Sequence, residues 1–185
     1  MSVIAESIAD LPPTDSFLSM SLSVPADIEK EIDERITHYP VSRRSAVLPV
    51  LHILQRHFRF LSEDAVSWTA AKLGLEPIQV LEVVTFYPGF RQEAPGKVHI
   101  RVCRTLSCAM AGSYELLDNL CQAAGIDASR MGHHHPFAVS KDGRFSIEFV
   151  ECLASCGSAP VCLVEDELHE RVSPETAPDL LARYS

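Results

Sequence analysis

Apolar runs in this 185-residue chain are only a few residues long, so no segment is expected to span a bilayer. Basic residues are the minority: 16 Lys and Arg stand against 25 Asp and Glu, for a net charge of −9. No basic stripe is present to neutralise phosphates, and nucleic-acid binding is not expected. Neither G-x-G-x-x-G nor a Walker motif occurs, so the chain has no recognisable phosphate cradle of its own. It also lacks a C-x-x-C pair, which removes both the short zinc knuckle and the redox dithiol of that spacing. The N-terminal MSVIAESIADLPPTDSF shows no basic region followed by an apolar one, and it is acidic and free of Arg. Neither a secretory signal nor a transit peptide is expected. No Ser-His-Asp order, paired carboxylates or internal repeat can be read from the chain.

What is there is a composition with 46% apolar and 22% charged residues, ordinary for a globular protein of one domain or two small ones. An acidic balance of this size favours solubility and suits a protein that docks on others. Six cysteines in a chain not expected to be exported point to a reducing compartment, where they act as ligands or reactive groups. Four of them form two clipped pairs, Cys103-x4-Cys108 and Cys152-x3-Cys156, with 43 residues between the pairs. Thiolates ligate iron–sulfur clusters and structural zinc, and two such pairs suggest two loops meeting at one inorganic centre. A four-residue gap also occurs in plant-type [2Fe–2S] ferredoxins, although a C-x2-C follows it there. Spacing favours a [2Fe–2S] cluster and leaves open zinc, redox dithiols or inert cysteines.

Residues 1–22 are rich in Ser, Pro and Asp and lack periodicity, which reads as a flexible arm. Residues 23–94 read as a small helical bundle. Ile28, Ile32 and Ile36 make one stripe. Ala46, Val47, Val50, Leu51, Leu54 and Phe58 make a second, with Pro49 a point of bending near its start. Ser62 caps a third helix that carries Val66, Ala70 and Leu73 and closes at Gly74. Pro77 opens a fourth, with Val80, Leu81 and Val84 inward. Short amphipathic helices bury their stripes only by packing together. Trp68, Phe86 and Tyr87 are expected in bundle-core or interdomain packing.

Pro95-Gly96 marks the boundary, and residues 95–185 change texture. Val98, Ile100 and Val102 alternate as a strand. Leu116, Leu117, Leu120, Cys121 and Ala124 line a helix ending at Gly125. Phe145–Phe149 is a strand after the Asp142-Gly143 turn. Val161–Val164 and Leu168–Val172 flank Glu165-Asp166-Glu167 as a hairpin, and Pro174–Tyr184 closes the chain as a helix. The fold class expected is α+β: a helical bundle, then an α/β sandwich of thioredoxin-like size.

Cys103 and Cys152 each follow a predicted strand, so both loops can share one rim of the sheet. Thr105, Ser107, Ser155 and Ser158 are possible hydroxyl donors to sulfur, with plain loop composition as the simpler account of each. Cys121 and Cys162 read as buried core thiols. Arg104, beside Cys103, is a candidate for easing negative charge on a cluster, with an exposed arginine the commoner reading, and His133-His134-His135 reads as a solvated loop rather than a metal site.

Leu48-Pro49-Val50-Leu51, Val84-Thr85-Phe86-Tyr87-Pro88, Val150-Glu151-Cys152-Leu153 and Ala159-Pro160, together with the cysteine pairs, carry a family likeness. From about residue 25 onward the chain resembles the [2Fe–2S] (24 kDa-type) subunit of bacterial respiratory complex I, the NADH:quinone oxidoreductase. The resemblance implies a helical bundle followed by a thioredoxin-like [2Fe–2S] ferredoxin domain. It implies that Cys103, Cys108, Cys152 and Cys156 ligate one [2Fe–2S] cluster. It further implies docking, with other peripheral-arm subunits, on a flavoprotein that holds FMN, NADH and a [4Fe–4S] cluster. That places the subunit on the cytoplasmic face of the membrane without insertion, as part of an enzyme and incomplete alone. The same module occurs in NAD-linked hydrogenases and formate dehydrogenases, and a zinc-stabilised adaptor is the binding-protein alternative. Leu153-Ala154-Ser155-Cys156-Gly157-Ser158 and the His133–His135 run depart from the family pattern without removing a ligand.

Overall fold

The computed structural model describes residues 22–131 and 135–184. The chain divides into two compact units, Met1–Gln92 and Glu93–Ser185. Except for Leu22, which packs partly against the first core, the arm expected over 1–22 lies outside the described residues.

The first unit holds four helices among the described residues: α1 (Ala26–Thr37), α2 (Val47–Phe58), α3 (Glu63–Leu73) and α4 (Pro77–Phe86). Their ends follow local chemistry. The Ser62 hydroxyl accepts from the Ala65 N–H at 3.2 Å, satisfying one of the donors that a helix start leaves free. Gly74 closes α3 at φ 67°, and the Leu75 N–H reaches back to the Ala70 carbonyl at 2.9 Å. Pro77 takes the first position of α4, where the missing N–H costs no bond. Pro49 sits likewise in the first turn of α2, which runs unbroken from Val47. Ile32, Val50, Leu51, Leu54, Leu61, Leu73 and Val80 are fully covered at the centre. Lys72 links α3 to Glu29 and Asp33 of α1 at 2.7 and 2.8 Å. Burial alone would lower the Lys72 pKa, but these hydrogen bonds raise it overall. Gln55 pins the segment after α4 by donating to the Gly89 carbonyl and accepting from the Arg91 N–H.

Three expectations change here. Ala46 belongs to a 3-10 turn (Arg43–Ala46) ahead of α2, although it is buried as expected. Leu81 lies 37% exposed: one residue beyond Val80 is 100° around the helix, so α4 buries Val80 and Val84, with Val83 partly covered beside them. Phe86 and Tyr87 are 76% and 42% exposed rather than core residues, because they fall where α4 ends and the chain leaves the bundle. Trp68 is half-buried against the bundle core.

In the second unit, β1 (Val98–Cys103), β2 (Phe137–Val139), β3 (Phe145–Val150), β4 (Cys162–Val164) and β5 (Glu167–His169) form a sheet ordered β2-β3-β1-β4-β5. Only the central pair β1–β3 is parallel, with Ile100 opposite Ile147 and Cys103 opposite Val150. A parallel pair needs a crossover, and α5 (Leu106–Met110) and α6 (Ser113–Ala124) lie within it. Ile100, Val102, Phe145 and Ile147 pack with Leu116, Leu120 and Cys121 of α6 and with Leu180 and Leu181 of α7 (Ala177–Ala182). Gly96 lets the chain pass close to β3, since a Cβ there would stand 2.6 Å from the Phe145 carbonyl carbon.

The closing hairpin is tighter than expected. Val164 pairs with Glu167, leaving a two-residue turn of Glu165 and Asp166 in which Glu165 takes φ 52°. Arg171 and Val172 leave the sheet and bond instead to the Ser158 and Pro160 carbonyls. Pro174–Thr176 is a 3-10 turn, so the last α-helix starts only at Ala177. The fold is mixed α+β, helices first and sheet second.

Candidate metal centre

Register brings the two cysteine loops together. Because β1 and β3 are parallel and paired through Cys103 and Val150, both strands end on the same rim. β4 runs antiparallel to β1, so it begins where β1 ends, and the Cys103 N–H donates to the Val161 carbonyl at 3.2 Å. The loop after β1 carries Cys103 and Cys108, the latter on α5. The β3–β4 connection carries Cys152 and Cys156, the latter opening a 3-10 turn (Cys156–Ser158). All four thiols therefore belong to one rim.

The two pairs differ in access. Cys103 and Cys108 are 1% and 2% exposed and pack with Val161, Leu153 and Ala159, whereas Cys152 and Cys156 face solvent with their sulfurs 3.8 Å apart. Donors surround the sulfurs. The Ala154 N–H reaches Cys152 Sγ at 3.3 Å, aimed there by a left-handed Ala154 at φ 61°. The Thr105 hydroxyl lies 3.3 Å from Cys103 Sγ.

These contacts set the thiol acidities. Burial raises the Cys103 pKa, but the Thr105 hydroxyl and the Leu153 and Thr105 N–H groups outweigh it, and the net shift is downward. Cys108 moves upward, through burial first and its neighbour Cys103, against the Val161 N–H. Cys152 is lowered by the Ala154 N–H, then by Thr105 and Cys156. Thr105 thus acts on one sulfur of each pair. Cys156 further raises the Cys108 pKa and Cys103 that of Cys152, so the two pairs stand close enough to act on one another.

Two neighbours depart from expectation. Arg104 is not an exposed arginine: its side chain is four-fifths covered and donates through Nε to Glu151 Oε1 at 3.0 Å. It joins the residue after Cys103 to the residue before Cys152. Ser155 and Ser158 turn their hydroxyls to Glu170 rather than to sulfur, and those hydroxyls lower the Glu170 pKa. Ser107 is exposed. His135 is exposed too, while His133 and His134 lie outside the described residues.

Cys121 and Cys162 are fully buried, and burial pushes their pKa values up to about 11 and about 12. At pH 8 roughly one Cys121 in a thousand and one Cys162 in ten thousand would be thiolate. In the reduced, metal-free chain, iodoacetamide is expected to modify Cys152 and Cys156 while Cys121 and Cys162 stay unmodified until denaturant is added. Peptide mass spectrometry reads this directly, and early labelling of Cys162 would contradict the burial.

One buried polar group escaped sequence reasoning. His99 is 2% exposed and contacts Ser146 Oγ through Nδ1 at 2.9 Å and Glu148 Oε2 through Nε2 at 3.1 Å. The His99 backbone N–H also donates to Glu165 Oε1 at 2.7 Å. The signal was the out-of-phase alternation of His99 with Ile100 and of Ser146 with Ile147. The strand register that makes them partners was not visible.

Residues 32–185 match the family model of the thioredoxin-like [2Fe–2S] ferredoxins. Subunit 2 of the Thermus thermophilus NADH-quinone oxidoreductase is 37% identical over 76% of this chain and 74% of its own. One NADH-quinone oxidoreductase subunit from Rhizobium meliloti is 35% identical, covering 85% of this chain and 88% of its own. Another, from Aquifex aeolicus, is 32% identical, covering 87% and 95%. Among solved structures, a chain of an NAD+-reducing [NiFe]-hydrogenase in the air-oxidised state superposes with a TM-score of 0.58. It shares 21% identity over 72% of this chain, which spans 22% of that one, and the likeness is one of fold. With a family match over most of its length and relatives covered nearly end to end, the chain belongs to the thioredoxin-like [2Fe–2S] ferredoxin family, together with these subunits of NADH-quinone oxidoreductase.

Proposed function

We propose that Cys103, Cys108, Cys152 and Cys156 hold one [2Fe–2S] cluster. The chain is then an electron-transfer subunit of an NADH:quinone oxidoreductase that exchanges one electron with the FMN of a partner flavoprotein subunit. The observation that carries this reading is the arrival of two cysteine pairs on one sheet rim, one pair buried and one open. The donor set fits the group. Four thiolates in two pairs suit a binuclear centre, where each iron takes two, and the match to the thioredoxin-like [2Fe–2S] ferredoxins favours that centre over a single zinc.

When bound, the cluster supplies a one-electron couple, with no bond to the protein made or broken. The chain's own residues prepare for its charge. N–H groups of Leu153, Ala154 and Val161 and the Thr105 hydroxyl point at sulfur, which favours thiolate and raises a cluster's potential. Arg104 and Glu151 hold the two loops at a fixed spacing. The absence of a phosphate-binding motif from the sequence accords with FMN and NADH residing on the partner. No described helix is long and apolar enough to cross a membrane; the place proposed for the chain, from its relatives in NADH-quinone oxidoreductase, is a peripheral arm on the cytoplasmic face. Sequence identity along nearly whole subunits favours the quinone-reducing enzyme over the hydrogenase, where the likeness is of fold.

Anaerobic purification followed by iron and sulfide assay, and EPR after dithionite reduction, tests the proposal. About two irons and two sulfides per chain, with a rhombic signal only on reduction, are expected. A colourless protein holding one zinc, without signal after reconstitution, would instead identify a zinc-stabilised adaptor.

A further inference from the structure

Ser155 and Ser158 bracket Cys156 at one residue before and two after. In sequence they look like hydroxyl donors for sulfur. The structure spends both hydroxyls elsewhere. Ser155 Oγ donates to Glu170 Oε1 at 2.6 Å, and Ser158 Oγ contacts the same carboxylate oxygen. The two hydroxyls are also 2.7 Å apart, and Ser158 Oγ lies 3.2 Å from the Ser155 carbonyl. One residue further on, the Arg171 N–H donates to the Ser158 carbonyl at 2.8 Å, with Arg171 held at φ 50°. The Val172 N–H completes the link at the Pro160 carbonyl, 3.0 Å away.

The segment after β5 is therefore tied to the Cys156 turn by a carboxylate and one backbone bond, with a second just beyond the turn at Pro160. The turn needs such a tie. It is a single 3-10 turn, Cys156 is exposed, and neither Cys156 nor its turn neighbours Gly157 and Ser158 are buried. None of the three belongs to the small apolar cluster that holds Cys103 and Cys108. A short turn without buried side chains opens locally at little cost unless hydrogen bonds hold it.

We infer that Glu170 is a positioning residue for the fourth thiol of the centre: by accepting from Ser155 and Ser158 it fixes the turn that presents Cys156. This rests on the ligand assignment proposed above. Glu170 touches neither sulfur nor metal, and its part is to keep Cys156 Sγ where its partner Cys152 can share a metal with it. The carboxylate also takes up two hydroxyls that would otherwise be free to turn towards sulfur.

Three full-length variants test this: Glu170→Ala, which removes the acceptor; Glu170→Gln, which keeps an acceptor oxygen without the charge; and a double Ser155→Ala, Ser158→Ala. Hydrogen exchange in the metal-free chain reads the tie with or without a cluster. Amides of Ser158 and Arg171 are expected to exchange about tenfold faster in Glu170→Ala and in the double variant, roughly the factor one charge-assisted hydrogen bond represents. In the loaded protein, those two variants are expected to bleach about tenfold faster under chelator and to show an altered EPR line shape. Glu170→Gln is expected to restore both towards the wild type. Unchanged exchange in Glu170→Ala would overturn the tie. Faster exchange with wild-type bleaching and EPR would overturn its action on Cys156, as would a Glu170→Gln protein as impaired as Glu170→Ala. Failure of the ligand assignment itself would look different: the wild type would hold no two-iron centre, while the exchange arm would still read out the tie.

Discussion

Cys156→Ser is expected to leave anaerobic purification nearly free of iron, with the low-temperature EPR signal of the reduced protein lost. Serine places a hydroxyl where a thiolate is required, and a hydroxyl does not ionise at neutral pH. Outer partners of a metal site already cost about ten- to a hundredfold in affinity when removed, so the loss of one of four direct ligands is expected to exceed that. Two thiols provide the control. Cys121 lies on α6 and Cys162 on β4, both fully buried in the second unit's core and outside the rim cluster. Cys121→Ser is expected to cost about 1–3 kcal/mol, because it buries a hydroxyl beside Met131 Sδ, and to keep its full complement of iron. Wild-type iron content in Cys156→Ser, or loss of iron from a folded Cys121→Ser protein, would show that the ligands have been assigned wrongly.

Ile147→Ala is the substitution with the largest expected effect on folding. Ile147 is fully covered in β3, with Ile100 opposite on one side and Ala138 on the other. Truncating a buried isoleucine removes its transfer energy and leaves a cavity, at a typical cost of about 2–5 kcal/mol. Here the site is enclosed by α6 as well as by two strands, so little can relax into the void. The effect on the centre is indirect: the β1–β3 pairing holds the ends of both cysteine loops on one rim, and weakening it is expected to speed cluster loss on mild heating. Trp68 lies in the first unit, so tryptophan fluorescence is the wrong probe. Urea unfolding followed by cluster absorbance, or hydrogen exchange of β1 and β3 amides, reads the correct unit. A cost below about 1 kcal/mol would mean that the neighbouring side chains close the cavity.

How much could be read in advance varied with the range of the interaction. The helix around Val66, Ala70 and Leu73 was legible to its ends, since Ser62 and Gly74 act on their own neighbours. The strand at Val98–Val102 was legible from its alternation. α5 and β2 were missed because five and three residues are too few for a period to emerge. The hairpin turn was expected one residue too long, because a left-handed Glu165 carries no glycine to announce it. Phe86 and Tyr87 were expected in the bundle core or in interdomain packing, and the first of these fails because residue type says nothing about where a helix leaves its bundle.

At the centre the division follows the same line. Thiol chemistry and the spacings within each pair are properties of short stretches of chain, so the sequence alone determined that the four cysteines form two pairs, and it favoured a [2Fe–2S] cluster while leaving zinc, redox dithiols or inert cysteines open. It determined the helix caps and the buried stripes for the same reason. Only the tertiary structure decided that Cys103 and Cys108 are shielded while Cys152 and Cys156 are open, that Arg104 faces Glu151, and that Ser155 and Ser158 serve Glu170 rather than sulfur. Those partners are 12 to 47 residues apart in the chain. They meet through the parallel register of β1 with β3 and the antiparallel return of β4 and β5. That pairing is set by burial of one sheet face against α6 and α7, a condition on the whole unit that no local stretch encodes.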